Sequence, residues 1–381
     1  MNTLRQQIEQ EIREHGPIPF SRYMELCLYD PEHGYYSRNA QQFGKSGDFY
    51  TSSDVHAVFG RLLARQFDEM WRVLGSSQQI ELVELGPGRG LFAQDVMGWS
   101  EKKFPDLFRA LRYVLVESSL VLRERIKETL GRHIESGKAK IAVLDPLHEG
   151  SAFNTPTIVF ANEFFDALPV EILSAKGSLR IDTRGGRFIE TWAQPSPEEL
   201  EFLDRYSLHP APEERVEAPL AAQHSVQQIA ASIRHGFVLA IDYGYTREEQ
   251  LAGRHRGTLK ALRQHSVSAN PYEAPGEQDI TADVNFTALA AAAVKHGMQT
   301  QKLITQSQFL MGIGEANQFA DAFEESRLPQ ERAKVALQLK HLVTPAGMGE
   351  SFHVLIASKG VAQERVKSLS GLNFRRDALV P

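Results

Sequence analysis

The sequence is short of everything that would mark a stapled, metal-clustered or membrane-spanning protein. Its 381 residues contain one cysteine, Cys27. A single thiol forms no intramolecular disulfide, and it supplies no cysteine-cluster metal or iron–sulfur site. Its apolar neighbours make a buried structural thiol the expectation. No stretch approaches the ~18 apolar residues that cross a bilayer, so no membrane span is expected. The 13 histidines show no H-E-x-x-H or related spacing, and no metal is expected. Positive charge is not in excess: the formal net charge of −6 speaks against a general nucleic-acid surface. Glu9, Glu11 and Glu14 fit neither a secretory signal nor an acid-poor transit peptide, which makes a cytoplasmic location the expectation. Internal repeats and low-complexity tracts are missing too.

What is present is the patterning of an ordinary globular chain, with 42% hydrophobic and 24% charged residues. Residues 1–30 read as helical, starting near Thr3. A turn-rich stretch from Asp30 to Asp48 leads to an amphipathic helix capped by Ser52 or Ser53. Its apolar positions run from Val55 to Leu74, and Gly75 stops it. Short apolar runs then alternate with helices. Strands are predicted at Ile80–Leu85, Tyr113–Val116, Ile141–Leu144, Thr157–Ala161 and Phe237–Asp242, with two more at Met298–Ile304 and Phe352–Ala357. Helices are predicted near Phe92–Gly98 and Leu120–Leu130. Nearly continuous apolar strands are covered on both faces, so the fold class is α/β with a doubly wound, largely parallel sheet.

Two segments break the alternation. Residues 170–235 carry strand-like Val170–Leu173, Leu179–Asp182 and Phe188–Trp192, a Pro/Glu-rich turn and a helix near Ala221–His235. Residues 306–345 read as mostly helical, with Pro329 and Pro345 as breaks. Both read as insertions on the functional edge of a core spanning 76–360, preceded by a helical region at 1–75 and followed by a tail at 361–381. Such helical insertions suit a homodimer as well as a substrate surface.

The most informative stretch is Val83-Glu84-Leu85-Gly86-Pro87-Gly88-Arg89-Gly90, in which an apolar strand ends in a carboxylate and enters a glycine turn. Glycines permit otherwise forbidden dihedrals and the close approach of a ligand. In open α/β sheets this carboxyl edge binds nucleotide-like ligands. The dinucleotide fingerprint G-x-G-x-x-G is not met, because Gly90 comes one position early. Glu84 also opposes a pyrophosphate but suits a cationic, phosphate-free adenosyl ligand. Acidic-x-G-x-G-x-G after a first strand resembles motif I of the class I S-adenosyl-L-methionine-dependent methyltransferases. The alternative is a purely structural strand–helix corner.

The ends of the following strands carry further acids. Glu117, closing Tyr113–Val116, is placed to accept hydrogen bonds from ribose hydroxyls, a feature shared with nicotinamide enzymes. In class I methyltransferases the position of Asp145 and Leu147 contacts adenine; Asp145-Pro146 also reads as a simple turn. The fourth strand runs into Asn162-Glu163-Phe164-Phe165-Asp166-Ala167-Leu168-Pro169. If the turn after the strand is helical, spacing of three puts Glu163 and Asp166 on one face. Paired carboxylates match a guanidinium fork, and phenylalanines can wall a site against water. The alternative is that the acids cap a helix and the phenylalanines fill core. Asn162, Glu163 and Asp166 are the catalytic candidates. Asp242 is read as the cap of a turn into Gly244 or a substrate contact, and Asp279 and Thr281 as lining the substrate entrance or capping the next helix. For Asp283 the cap is the reading.

Taken together, Gly47-Asp48-Phe49-Tyr50-Thr51-Ser52, the Glu84–Gly90 turn, Asn162–Pro169, Asp242-Tyr243-Gly244 and Asp279-Ile280-Thr281-Ala282-Asp283-Val284-Asn285-Phe286 resemble the MidA-like family. They span roughly residues 15–360. The resemblance implies a class I methyltransferase fold and S-adenosyl-L-methionine as cofactor, held by Glu84, Gly86, Pro87, Gly88, Gly90, Glu117, Asp145 and Leu147. It adds Asp48, Phe49 and Thr51 as a lid. The family's mitochondrial member assists respiratory complex I assembly and symmetrically dimethylates an arginine of a complex I subunit, which implies a protein substrate. Tyr50, His56 and Asn285 depart from that member, and no transit extension is expected; the departures bear on the arginine substrate and leave the cofactor motif intact.

Three other readings compete with a protein arginine methyltransferase. One keeps the cofactor but methylates a small molecule or another side chain. A nicotinamide oxidoreductase is opposed by Gly90 and Glu84. A non-catalytic assembly factor would keep the fold as a platform.

Overall fold

The apolar continuity of the central strands follows from what covers them. The computed structural model describes residues 3–38, 57–143, 153–263, 266–268 and 270–374. Seven strands lie in the order Gln299–Thr300, Phe352–Lys359, Gly236–Tyr245, Thr157–Asn162, Ile80–Leu85, Leu111–Val116 and Ala139–Ala142. Phe352–Lys359 runs against the other six. Successive side chains point to opposite faces. Leu82, Tyr113, Leu115, Phe160 and Ile241 join one core under the helices Ala57–Val73 and Leu91–Lys103. Val83, Leu85, Val114, Val159 and Ala240 join another under Leu220–Ser232 and Phe286–Lys295. With helices on both faces, neither set of alternate residues meets water.

Ile80–Leu85 has the predicted limits, and four other predicted strands extend slightly beyond theirs. The strand expected at Ile141–Leu144 is Ala139–Ala142. Among the described residues it pairs only with Leu111–Val116, at the sheet edge, so an apolar run marks it poorly. The expected Met298–Ile304 strand is two short pairings, Gln299–Thr300 and Ile304–Thr305. Ala57–Val73 ends where predicted, with Gly75 in the left-handed region at φ 92°. Ser52 and Ser53 lie outside the described residues. The amino-terminal helical region is two helices, Leu4–His15 and Phe20–Tyr29, because Gly16 and Pro17 interrupt it. Thr3 caps the first through a reciprocal bond pair with Gln6.

Residues 171–218 build a second, antiparallel sheet. Gly177–Arg184 is flanked by Arg187–Ala193, Glu171–Ser174 and the amino-terminal strand Ile18–Pro19, and Val216–Ala218 pairs with Glu171–Ser174. Leu4, Ile8, Phe20, Tyr23 and Cys27 pack on Ile172, Leu179 and Ile181 in one core. Burial pushes the Cys27 thiol up to about 12, which keeps it protonated and inert.

Four expectations need correction. The Pro/Glu-rich turn contains the helix Pro197–Tyr206: Ser196 and Glu199 form a capping box and Pro197 takes the first turn, where it costs no hydrogen bond. Pro329 likewise begins a helix, Pro329–Val343, instead of breaking one. The helices of 306–345 bury Phe309, Leu310, Ile313 and Leu342 in the core that includes the Ala57–Val73 helix, and contribute no residue to the cavity described below, so they do not sit on the functional edge. Nor is the segment after 360 a free tail through residue 374, since Val366 and Leu369 are buried in that same core.

Candidate functional site

Between Ile80–Leu85 and Leu91–Lys103 the chain places three glycines at positive φ: 62° at Gly86, 54° at Gly88 and 77° at Gly90. Their surroundings separate their roles. A Cβ on Gly90 would touch Ile126 and Leu130 at 3.5 Å, so this glycine lets the helices pack. On Gly86 it would meet the Phe164 ring at 3.0 Å, and on Gly88 it would meet nothing within 4 Å. Gly86, Pro87 and Gly88 line a cavity of about 630 Å³; Gly90 lies behind it.

Carboxylates line this cavity from several strand ends. Glu84 is 5% exposed and accepts a 2.7 Å hydrogen bond from the Tyr113 hydroxyl. Burial pushes its carboxyl up to about 8, against the pull of Tyr113. Glu117 accepts from the Ser119 N–H at 2.9 Å, and burial pushes it up to about 7 despite that bond.

Asn162 closes the fourth strand, and its Nδ2 donates to Glu163 Oε1 at 3.1 Å. The turn that follows is not helical. Glu163 sits at φ 50°, a left-handed conformation unfavourable for a non-glycine residue. Glu163 and Asp166 nevertheless both line the cavity, brought there by the bend and not by helical spacing. Asp166 is enclosed, its free surface facing the cavity. Burial, then the charge of Asp283, pushes it up to about 7. The two phenylalanines divide: Phe165 is core, while Phe164 packs edge-on to it at 5.2 Å and covers Gly86.

Asp242 is fully buried and does not line the cavity, which excludes a substrate contact. Nor does it simply cap a turn into Gly244. Its Oδ2 accepts N–H groups of Phe164, Phe165 and Asp166 at 3.1, 2.9 and 3.3 Å. Asp279, Thr281 and Tyr243 do line the cavity. Asp283 does not cap the next helix. Asn285 does, accepting from the Ala288 N–H at 3.0 Å, while Asp283 pairs with Lys260 at 2.9 Å and His255 at 3.2 Å.

Sequence reasoning missed the roof. The Tyr29 hydroxyl donates to the Ala167 carbonyl at 2.9 Å, and the Tyr36 hydroxyl to Asp279 Oδ1 at 3.0 Å. Ser119 Oγ ties Tyr36's carbonyl to the far wall at 2.9 Å. Nothing in the local pattern of Tyr29 or Tyr36 marks them, since their partners are distant in sequence. Asp48, Phe49, Thr51, Asp145 and Leu147 lie outside the described residues.

A cradle of glycine backbone with open space at Gly88, flanked by Glu84 and Glu117, fits a cationic adenosyl ligand: carboxylates for ammonium and ribose hydroxyls, no Cβ in the way. Known proteins agree. A family model described as S-adenosyl-L-methionine-dependent methyltransferase matches residues 62–304. The mitochondrial protein arginine methyltransferase NDUFAF7 of Danio rerio is 30% identical over 365 residues, covering 88% of this chain and 82% of the relative. Its homolog in Drosophila melanogaster is 29% identical over 395 residues, covering 94% and 85%. A COG1565 superfamily member from Burkholderia thailandensis, crystallised with S-adenosyl-homocysteine, superposes with a TM-score of 0.82 at 29% identity, over 99% of this chain and 96% of that one. The chain therefore belongs to this family of S-adenosyl-L-methionine-dependent methyltransferases, with the Rossmann-like α/β fold of the class.

Proposed function

We propose that this methyltransferase modifies an arginine side chain of a protein. The observation that carries the reading is the acidic wall beside the glycine turn: Glu163, Asp166 and Asp279 line the cavity next to Phe164, Tyr243 and the roof tyrosines. Carboxylates in an enclosed, aromatic-walled space favour a planar cation that they can grip in pairs. The named activity of the NDUFAF7 relatives supports the same substrate.

In this reading Glu84, Glu117 and the backbone of Gly86, Pro87 and Gly88 hold the cofactor, which supplies a methyl group on a positive sulfur. Glu163 and Asp166 grip the guanidinium and orient one nitrogen toward that methyl. As the C–N bond forms and the C–S bond breaks, the sulfur keeps the bonding pair and the nitrogen must lose a proton. Asp166, ionised once the cation is bound, is placed to take it. Phe164, over Gly86, and the roof exclude water. Asn162 orients Glu163.

Incubation with methyl-labelled S-adenosyl-L-methionine and cell extract, followed by mass spectrometry of labelled peptides, tests this. Label on arginine, lost with Glu163→Gln and Asp166→Asn, is the expected result. Label confined to small molecules or to other side chains overturns the arginine assignment.

A further inference from the structure

One buried acid of the site, Asp242, does not line the cavity and pairs with no cation among the described residues. Asp242 lies near the end of the strand Gly236–Tyr245, behind the wall, and among the described residues its carboxylate takes four hydrogen bonds, all from backbone N–H groups. Oδ2 takes those of Phe164, Phe165 and Asp166, and Oδ1 takes that of Tyr243 at 2.9 Å. Three consecutive N–H groups converging on one oxygen form a nest for an anion. A protonated carboxyl must donate, and none of these partners accepts.

The turn held by the nest is the strained one. Glu163 at φ 50° leads directly into the three donating residues. A left-handed glutamate costs of order 1 kcal/mol or more and persists only where its surroundings fix it. Asp242 holds the three residues that follow Glu163, while the Glu163 N–H itself donates to the Ile241 carbonyl at 3.0 Å.

We propose that Asp242 is a positioning residue: a permanent anion that pins the Glu163–Asp166 turn and leaves Asp166 as the acid of the wall that gains and loses the proton. Like charges packed together cannot all ionise cheaply. Burial and the charges of Asp166 and Glu163 push Asp242 upward as well, but four N–H groups spread over both oxygens favour its charged form, since a proton on either oxygen would displace one of them. The wall's proton therefore resides on Asp166, whose upward push from burial and Asp283 is partly relieved by Lys260. The other titratable groups packed here are Tyr243 on Asp242's own strand, His353 on the neighbouring strand in register with Asp242, and the roof tyrosines Tyr29 and Tyr36 near Asp166. Asp283 keeps Lys260 and His255 as its own partners. A cationic acceptor then enters by displacing a proton from one defined carboxyl while the turn stays fixed.

The test needs no methyl acceptor, so it stands or falls separately from the arginine assignment. Carbon-13 NMR of aspartate-carboxyl-labelled protein is followed from about pH 5 to 9, with Asp166→Asn and Asp242→Asn assigning the two resonances. The expected result is an Asp242 carboxyl at the ionised shift throughout and an Asp166 carboxyl that titrates. In Asp242→Asn, loss of the neighbouring charge lowers the Asp166 midpoint by about one pH unit, which a merely structural role would not do. A crystal structure of Asp242→Asn is expected to show Glu163 released from positive φ. A titrating Asp242 beside an Asp166 of constant shift overturns the proposal. So does an unmoved Asp166 midpoint together with an unmoved Glu163 in the variant. Should Asp242→Asn fail to fold, Asp166→Asn still assigns the Asp166 resonance, and an Asp166 carboxyl of constant shift in the wild type overturns the proposal.

Discussion

The Tyr113 hydroxyl reaches across from the neighbouring parallel strand to Oε2 of Glu84, 2.7 Å away, and both side chains are buried. This bond favours the ionised form of a carboxyl that burial holds near neutrality of charge. Tyr113→Phe removes the donor, so Glu84 titrates higher still. Calorimetry at about pH 7.5 is expected to show S-adenosyl-L-methionine bound roughly five- to tenfold more weakly, the worth of a hydrogen bond of about 1 kcal/mol. Unchanged affinity would show that Glu84 does not face the ligand's charge.

Cofactor binding should release the protons held by the free site. Glu84 is pushed up to about 8 and Glu117 to about 7, and a ligand that donates to them selects the charged forms. Affinity is expected to rise as pH increases from about 6 to 8.5, with protons released on binding. Titrations in phosphate and in Tris, whose ionisation enthalpies differ, should give different apparent enthalpies. Identical values in the two buffers would exclude proton release.

The same shift has a stability sign. A glutamate raised to about 8 in the folded chain binds more protons than its unfolded counterpart at the ordinary value of 4.5, so Glu84 costs the free protein stability as pH rises through that window. Glu84→Gln removes the cost. It is expected to raise the melting temperature by roughly 2–4 °C at about pH 8.5 and much less at about pH 5, while abolishing the thermal shift on adding S-adenosyl-L-methionine. A variant destabilised at the higher pH would contradict this.

The three turn glycines should fail differently when changed to alanine. All sit at positive φ and each loses about 1 kcal/mol or somewhat more to backbone strain. Gly86→Ala also pushes on Phe164, and Gly90→Ala crowds Ile126 and Leu130. Gly88→Ala alone meets open space, so its added methyl intrudes on the ligand. Melting temperatures with and without S-adenosyl-L-methionine separate these: Gly88→Ala loses most of the ligand-induced shift with the least loss of stability, while Gly90→Ala loses stability and keeps the shift.

The carboxyl-terminal segment is structural. Leu369 is 1% exposed in the core that also buries Phe309. Leu369→Ala should cost roughly 2–4 kcal/mol in denaturant melts. A cost below about 0.5 kcal/mol would return this segment to the status of a tail.

The core sheet was largely readable because its strands are apolar on both faces, a pattern needing no knowledge of partners. Glu84, Glu117, Glu163 and Asp166 were readable as cavity residues for a related reason: each ends a strand or starts the bend after it. Asp242 and Asp283 were misread, since an aspartate near the end of a strand looks the same whether it caps its own turn, nests a neighbouring one or pairs with Lys260. The Pro197–Tyr206 helix carried a legible signal, Ser196 with Glu199, that proline content obscured. Pro329 was similar. The roof lay beyond any local signal, because Tyr36 and Asp279 stand 243 positions apart.

That distance orders events in time. Ile18 and Pro19 pair with Ile181 and Arg180, and Tyr36 waits for Asp279. On the ribosome, the first helices to emerge are thus left without their permanent neighbours until most of the polypeptide has followed. Contacts so remote form slowly, which makes closure of the chamber a late step of maturation. Acquisition of cofactor affinity after dilution from denaturant is accordingly a clock for the final stage of folding, running behind the recovery of the central sheet.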